Sequence, residues 1–336
     1  MSSSKLAGIG RHFNLKSFFI NYGLFFVLAI LFVYFSFASP FFFRAANFRN
    51  ILVSMSVIGI IATAMTLAII GRGPDLTVGS VCAMVGCLQA NLVLINGYPW
   101  YVGMIASLAF GILVGFINGI VIVKFNLAPF IVTLGMMNVV RGLCFVMTDG
   151  LAYFINDPRL VFLGRATVFS SPATDTSPAS LGIPISIFVL VLSFVVFEFV
   201  SRKTVFGRQV YASGGNRIAA RLAGINIDKI GISLFVLSGL MAAVAGNIVV
   251  GISGAALPQT GEGYPLDAIT AVLLGGTTLA GGSGKIRRTF LGLLIIGVLN
   301  NGMALLNVQT YWQVTAKGAF LLAAIILDSL QHREKK

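Results

Sequence analysis

Residues 101–123 have the sequence YVGMIASLAFGILVGFINGIVIV, a run without a single charged side chain. A helix of this length is about 34 Å long at 1.5 Å per residue, which is enough to cross a hydrocarbon core of about 30 Å. We predict that this run and nine others are membrane-spanning helices of an all-α, polytopic protein. The ten runs are 18–38, 51–71, 76–95, 101–123, 128–148, 184–200, 231–253, 267–281, 287–306 and 311–328.

The composition agrees with a bilayer environment. Of the 336 residues, 57% are hydrophobic and only 10% are charged, and the mean hydropathy is +0.95. A soluble domain carries about a quarter charged residues. The first run, 18–38, is longer than the apolar part of a cleavable signal peptide and is predicted to remain as the first helix. The whole chain, 1–336, is therefore predicted to form a single transmembrane domain.

The net charge of +13 suggests nucleic acid at first, but the basic residues lie in short gaps between apolar runs and form no binding face. In membrane proteins this pattern sets orientation. With residues 1–17 in the cytoplasm, 17 of the 23 Lys and Arg residues fall in cytoplasmic segments, four fall outside and two lie within spans. The bias predicts both termini in the cytoplasm and no nucleic-acid partner.

Two long loops divide the chain. The external loop, 149–183, is rich in Ser, Pro and Thr and is predicted to be irregular, whereas the cytoplasmic loop, 201–230, separates two comparable halves. The group formed by spans two to five starts outside, and the group formed by spans seven to ten starts inside, which suggests an inverted repeat. The Gly-rich breaks Gly71–Gly79 and Gly275–Gly284 are suggested to be corresponding segments of the two repeats. The short eighth span is predicted to be re-entrant or broken.

Within the cytoplasmic loop, Ile218, Leu222 and Ile225 share one helical face, with Arg217 and Arg221 beside it. Gly224 is a suitable helix stop, as in many soluble helices. A short amphipathic helix of this kind either lies on the membrane surface or docks into a groove of a partner protein. The pattern alone leaves both alternatives open.

Small residues recur every four positions on two predicted helices. Gly111, Gly115 and Gly119 lie on the fourth span, and a similar stripe on the seventh includes Gly239 and Gly246 together with Ala242 and Ala243. Such stripes allow helix backbones to approach closely. They predict a tightly packed bundle and carry no information about its cargo.

The segment Gly71-Arg72-Gly73-Pro74-Asp75 interrupts apolar sequence. Proline lacks a backbone donor, and the flanking glycines permit turns. Either this is an ordinary cytoplasmic turn, or it is the end of a discontinuous helix that faces a transport path or a partner. The broken-helix hypothesis rests on Gly73, Pro74, Asp75 and Gly79.

Polar side chains inside the spans are the candidates for a transport path. Polar groups in a bilayer face the bundle interior or a wet cavity, and amides can both donate to and accept from sugar hydroxyls. Helix–helix hydrogen bonding is the alternative for each of them. The candidates within spans are Asn118, Asn138, Arg141, Asn300, Asn301 and Gln313, and Gln259 and Tyr264 are added from the external ends.

Arg141 and Lys317 are cations within spans that could each pair with a carboxylate. Few carboxylates are available, and Glu198 and Asp328 lie near the inner ends of their spans. The absence of an acidic cluster in the spans argues against a proton relay, a cation channel or an ion-driven carrier working alone.

Catalytic and metal chemistry find no support. The three cysteines, Cys82, Cys87 and Cys144, fall in apolar runs, and the two histidines, His12 and His332, lie near the termini, so we predict no metal site and no catalytic residues. The pair Gly284-Lys285 fails the phosphate-loop pattern on both sides, which predicts that any ATP hydrolysis occurs on another chain.

Three stretches resemble the membrane subunits of bacterial ABC importers for ribose, arabinose, xylose and related monosaccharides. The stretches are Asp75-Leu76-Thr77-Val78-Gly79-Ser80, then residues 204–225 with Thr204-Val205-Phe206-Gly207-Arg208 and Gly214-Gly215-Asn216, and then residues 275–286 followed by Asn300-Asn301-Gly302. The resemblance covers about residues 20–330. The chain departs from the family pattern at Arg72-Gly73-Pro74, where the family has Gly-Gly-Ile.

The resemblance implies a type-II-like importer permease in the bacterial inner membrane. It implies a second permease copy, a separate ATPase that holds ATP and magnesium, a periplasmic sugar-binding protein and surrounding membrane lipid, with no cofactor on this chain. The implied ATPase-coupling residues are Gly207, Arg208, Gly214, Asn216, Ala219, Ala220, Arg221 and Gly224. A nucleoside or a sugar-like signal molecule remains an alternative cargo, and an ion-coupled secondary carrier is the more remote alternative.

Overall fold

The computed structural model describes residues 15–170 and 182–333, with side chains for 23–170 and 182–326. Thirteen helices account for most of this part of the chain. They are α1 (Leu15–Ala38), α2 (Ala45–Ile70), α3 (Val78–Ala90, continued by a π-helical turn, Asn91–Ile95), α4 (Trp100–Lys124), α5 (Pro129–Thr148), α6 (Pro158–Arg165), α7 (Ile185–Lys203), α8 (Val205–Gly215), α9 (Arg217–Leu222), α10 (Ile227–Ser253), α11 (Tyr264–Leu274), α12 (Ile286–Leu305) and α13 (Thr310–Arg333).

The ten helices α1–α5, α7 and α10–α13 follow the ten predicted spans in order. Seven of them are long and apolar enough to cross a membrane, counting only the described residues, and shorter apolar helices cover Gly23–Ala38 and Tyr264–Leu274. The fold class is therefore the all-α, polytopic one that the sequence predicts.

Four predicted boundaries are wrong by more than a turn: the starts of the second and seventh spans and the ends of the eighth and tenth. Helix α2 begins at Ala45 and not at residue 51, so it includes polar residues that an apolar run omits. Asn47 is buried and its Nδ2 donates to the carbonyl oxygen of Phe42 at 2.9 Å. This contact satisfies a polar group at the helix start and makes the extension stable.

Helix α11 confirms that the eighth span is broken. Its 11 residues reach only about 16 Å, roughly half of the hydrocarbon core. Gly275–Lys285 follows it without helical structure, and α12 begins at Ile286.

The core lies around α2, α3 and α10. Of the most apolar stretch of α2, 83% of the residues are buried, against 17% for α5 at the edge of the bundle. The predicted glycine stripes meet each other here: a Cβ on Gly111 would lie 2.4 Å from the carbonyl oxygen of Gly239, and a Cβ on Gly115 would lie 2.2 Å from that of Phe235. Helices α4 and α10 therefore pack backbone against backbone.

The order of elements supports an inverted repeat. A long helix, a non-helical segment, a short helix and two longer helices occur as α2–α5 and again as α10–α13. The segments that correspond in the two halves are, however, not the pair suggested from the sequence. By element order, the Gly71–Gly79 region corresponds to residues 254–263, which precede α11, and not to Gly275–Gly284, which follow it.

Helix α7 crosses the bundle from α6 to α8. We call the end of the bundle that carries α6 the α6 end, and the opposite end, which carries α8 and α9, the α9 end. At the α6 end, the loop predicted to be irregular contains α6 and two two-residue strands, β1 (Tyr153–Phe154) and β2 (Thr167–Val168). A third, β3 (Ile183–Pro184), begins at its last residue, and a fourth, β4 (Ala255–Ala256), follows α10. Strand β1 pairs antiparallel with β4, and β2 with β3. Residues 171–181 of this loop, residues 1–14 of the predicted cytoplasmic N-terminus, and the side chain of Asp328 lie outside the description.

Candidate translocation and coupling site

The segment between α2 and α3 is non-helical, and its second part, Asp75 to Thr77, is buried. Asp75 and Thr77 are both fully buried, and Asp75 Oδ1 accepts hydrogen bonds from the Thr77 backbone N–H at 2.9 Å and from the Thr77 hydroxyl at 2.5 Å. These bonds replace those that a helix would make and hold the turn that leads into α3 at Val78. Of the two alternatives for this segment, the structure favours a break inside the bundle over an exposed turn.

A polar cluster extends from this break into the neighbouring helices. Asn118 of α4 is fully buried and donates from Nδ2 to the Thr77 hydroxyl at 3.2 Å, while the Ser238 hydroxyl of α10 faces the Asp75 carboxylate. Among the described residues, no donor reaches Asp75 Oδ2 or Asn118 Oδ1. Buried oxygens without donors are costly in a bilayer, so the cluster has capacity for a further hydroxyl or a water.

The corresponding break precedes α11. Arg141 of α5 donates from Nη1 to the carbonyl oxygens of Pro258 and Thr260, the latter at 2.8 Å, and so holds residues 257–261 against the interior. Gln259 lies exposed in the held segment, and Tyr264, half-buried, begins α11 directly after it. Arg141 therefore pairs with backbone carbonyls; the sequence analysis considers only a carboxylate partner, for which it finds few candidates.

The two breaks touch each other through glycines. A Cβ on Gly79, the second residue of α3, would lie 2.2 Å from the carbonyl oxygen of Gly261. Gly261 has a φ of +79°, a conformation that side chains with a Cβ disfavour. The starts of α3 and α11 therefore meet inside the bundle, with polar groups on both sides of the contact.

Lys317 has a partner that the sequence analysis misses. Its ammonium lies 2.8 Å from Asp267 Oδ2, and the two side chains are 30% and 6% exposed. The pair joins α11 to α13. Asp267 heads the eighth predicted span, so its charge is easily assigned to a loop, and only the three-dimensional arrangement brings it to Lys317.

At the α9 end, the loop predicted to be cytoplasmic forms two short helices, α8 and α9. The Thr204 hydroxyl accepts from the backbone N–H of Gly207 at the start of α8, and Asn216 Oδ1 accepts from that of Ala219 at the start of α9. Gly224 adopts a φ of +79° and the backbone N–H of Ile225 bonds to the carbonyl of Ala220, so Gly224 stops the helix as predicted.

The predicted apolar face is only partly present. Ile218 and Leu222 are 75% and 84% exposed, but Ile225 lies beyond the helix end and packs against the core at the α9 end. The amphipathic prediction is wrong for Ile225 because Gly224 turns the chain inward before it.

Glycines join the loop to the bundle. A Cβ on Gly207 would lie 2.3 Å from the carbonyl oxygen of Val200, and one on Gly214 would lie 1.8 Å from that of Ile70. The Tyr211 hydroxyl donates to the carbonyl oxygen of Gly284 at 2.9 Å, and burial raises the pKa of this phenol. It therefore stays a donor at neutral pH. Helix α8 is thus held on the ends of α2 and α7 and on the loop before α12, and α9 follows it directly.

The remaining predicted path residues separate into two places. Asn301 Nδ2 donates to Asn47 Oδ1 at 2.9 Å, Gln313 Nε2 donates to the carbonyl oxygen of Val308 at 2.8 Å, and the neighbouring Asn300 is partly buried. These three lie toward the α6 end. Asn301 joins α12 to α2 and Gln313 bonds to the turn before α13, whereas Asn300 Oδ1 has no hydrogen-bond partner among the described residues. Asn138 is exposed on α5, and its amide reaches only the carbonyl oxygen of Leu134, at 3.2 Å.

No group of three or more potential metal ligands of the His, Cys, Asp or Glu type occurs among the described residues. Cys82, Cys87 and Cys144 are buried and free.

Comparison with known proteins decides the family. Residues 47–326 match the model of the family described as "Branched-chain amino acid transport system / permease component". The chain belongs to this permease family. It is 39% identical over 318 residues to the ribose import permease protein RbsC of Haemophilus influenzae, which covers 95% of this chain and 96% of the relative. No solved structure matches the chain.

Two further relatives of the permease cover nearly its whole length. The Bacillus subtilis ribose import permease protein RbsC is 40% identical over 306 residues, 91% of this chain and 92% of the relative. The Escherichia coli L-arabinose transport system permease protein AraH is 36% identical over 339 residues, 100% of this chain and 99% of the relative. The permease is therefore a multi-pass membrane subunit of a transport system and not its catalytic subunit.

Proposed function

We propose that this permease is the membrane-spanning subunit of an ATP-driven importer that carries a monosaccharide, a pentose or a hexose, into the bacterial cell. The observation that carries the proposal is full-length similarity to import permeases named for ribose and for arabinose. ATP and magnesium bind to a separate ATPase subunit, and a binding protein outside the membrane delivers the sugar.

Helix α9 is the proposed docking element for the ATPase. Ile218 and Leu222 project from the α9 end with 75% and 84% of their surfaces exposed. Two large apolar side chains held outward on a capped helix favour burial against a protein partner. The neighbouring Arg217 and Arg221 are also exposed and supply positive charge around this apolar pair.

The sugar path is proposed to run past the two breaks. The cluster of Asp75, Thr77 and Asn118 lies on one side of the Gly79–Gly261 contact, and Arg141, Gln259 and Tyr264 lie on the other. Carboxylate, amide, hydroxyl and guanidinium groups match the donors and acceptors of a sugar. Movement at the contact between the breaks would expose these groups to one side of the membrane and then to the other.

A second permease copy is proposed to cover α5. Gly135, Asn138 and Gly142 share one exposed face of this helix, and an ideal Cβ on either glycine would meet nothing within 4 Å. An amide facing lipid is unfavourable, so a partner copy or a wet path between two copies suits this face. The variant Asn138→Cys should form a disulfide-linked dimer in membranes, and Phe188→Cys on the exposed face of α7 should not. Equal cross-linking of both would rule the assignment out.

The proposed orientation places both termini and the α9 end in the cytoplasm. It is supported by the basic residues, of which Lys124, Arg202 and Lys203 lie at the α9 end, whereas few lie at the α6 end. This orientation gives α9 access to an ATPase in the cytoplasm.

The decisive experiment is reconstitution in proteoliposomes with the ATPase and the binding protein. Labelled ribose, arabinose and xylose are offered with ATP or with a non-hydrolysable analogue, and a nucleoside is offered in parallel. The expected result is sugar uptake that needs all components and hydrolysable ATP. Uptake by the permease alone under an ion gradient would contradict the proposal. Uptake of the nucleoside but of no sugar would show that the cargo is a nucleoside.

Variants of α9 sharpen this test. The double substitution Ile218→Ser with Leu222→Ser should remove ATPase binding and uptake while the thermal unfolding midpoint stays unchanged, because both side chains are exposed in the free subunit. The matched control is Leu151→Ser with Phe154→Ser, which changes two exposed apolar residues at the α6 end. The control should bind the ATPase normally, and equal losses in both variants would argue against α9 as the docking element.

A further inference from the structure

Arg72 occupies an unusual backbone position at the end of α2. Its φ is +65°, in the left-handed region that favours glycine. A residue with a long side chain at such a place needs compensating contacts, and Arg72 has them.

The guanidinium of Arg72 binds the end of α8. Its Nε donates to the carbonyl oxygen of Gly214 at 2.6 Å and its Nη2 to that of Gly215 at 3.0 Å. The last carbonyls of a helix lack helical partners and carry the negative end of the helix dipole. The planar guanidinium fork satisfies two of them at once, which an ammonium cannot do with the same geometry.

The surrounding backbone fixes the arginine stem. A Cβ on Gly281 would lie 2.3 Å from Arg72 Cγ, and the backbone N–H of Gly282 donates to the carbonyl oxygen of Ile70 at 2.8 Å. The end of α2, the end of α8 and the loop before α12 therefore meet at Arg72 without intervening side chains.

Arg72 also stands between two functional parts of the molecule. On one side, Asn216 directly follows the bound carbonyls and caps α9, the proposed ATPase-docking helix. On the other side, Arg72 is three residues before Asp75, which holds the buried break leading to α3. One side chain and two short stretches of backbone therefore connect α9 to the break.

We propose that Arg72 is the positioning residue that transmits movement of α9 to the broken segment before α3. The inference rests on the proposed function, since it takes α9 as the element that the ATPase moves. Without the guanidinium link, the ATPase would still dock and hydrolyse ATP, but fewer hydrolysis events would move sugar.

The test compares three variants in the reconstituted system: Arg72→Gly, Arg72→Lys and the control Lys203→Gln. Glycine keeps the left-handed backbone and removes the link, lysine keeps the charge without the fork, and Lys203 is an exposed cation at the same end. The amount of sugar transported per ATP hydrolysed should fall at least about fivefold in Arg72→Gly. A factor of about five is the lower end of the range measured for coupling between two sites. Arg72→Lys should be intermediate and Lys203→Gln unchanged.

Hydrogen exchange of the purified permease separates this inference from the proposed function. Backbone amides of residues 212–224 and 73–79 should exchange faster in Arg72→Gly than in the parent, with an unchanged unfolding midpoint. If the parent shows no ATP-driven uptake, the proposed function fails. If uptake per ATP is normal in Arg72→Gly, or if exchange in these segments is unchanged, the transmission role of Arg72 is overturned.

Discussion

At the scale of single residues, Asp75 carries the buried break, and its role is acceptor rather than charge. The expected result is that Asp75→Asn folds nearly as well as the parent, because the amide oxygen can still accept from the Thr77 backbone and hydroxyl. Asp75→Leu leaves these donors unsatisfied in the interior, at a cost of about 1–3 kcal/mol for each group. The midpoint of thermal unfolding in detergent measures the difference.

The exposed Asp228 provides the control for this prediction. Asp228→Leu changes the same atoms at a side chain that is 63% exposed and loosely paired with Arg221 at 3.8 Å. It should lower the midpoint far less than Asp75→Leu. Equal midpoints for Asp75→Leu and the parent would show that the hydrogen bonds to Thr77 do not hold the break.

Sequence analysis finds many residues of the candidate site but not their partners. Asn118, Arg141 and Asp75 stand out because polar groups are rare in apolar runs. Their contacts depend on how helices distant in sequence are arranged, so the pairing of Lys317 with Asp267, 50 residues away, is not predictable from spacing. The same holds for Arg141, whose acceptors are backbone carbonyls and leave no trace in the pattern of side chains.

At the scale of elements, the close packing of α4 against α10 predicts that alanine has opposite effects on stability at two glycines. Gly115→Ala should destabilise the bundle, since the new methyl would lie 2.2 Å from the carbonyl oxygen of Phe235 and force the helices apart. Gly23→Ala on α1 should be neutral or stabilising by up to about 1 kcal/mol, because nothing lies within 4 Å and alanine is the better helix former. The unfolding midpoint of Gly115→Ala should fall while that of Gly23→Ala stays the same or rises, and an equal fall in both would contradict the packing argument.

The elements show why periodicity predicts some features and misses others. The small-residue stripes on α4 and α10 are predictable because close helix packing in a membrane requires them. The short helix α6 is not, since its first-turn support comes from Asp157 accepting the backbone N–H of Arg159 at 2.9 Å within a polar loop. Helix α9 is predicted correctly up to Gly224. The position of Ile225 beyond it is set by tertiary packing, which the pattern does not show.

At the scale of the whole molecule, the repeat order explains why both breaks lie inside the bundle. Each half contributes one long central helix, α2 or α10, followed by a non-helical segment and a short helix. Because the halves run in opposite directions, the segments approach from opposite ends and meet at Gly79 and Gly261. Two halves joined at such a contact can rock relative to each other with little change in their own packing.

The orientation of this arrangement gives the last prediction. With the α9 end in the cytoplasm, as proposed, an impermeant maleimide applied to intact cells should label Leu151→Cys at the α6 end and leave Lys203→Cys at the α9 end unlabelled. Inverted membrane vesicles should show the reverse. The three native cysteines are buried and provide a low background in the parent chain. Labelling of Lys203→Cys in intact cells would place α9 outside, where no ATPase could reach it, and would exclude the coupling role of α9 and of Arg72 together.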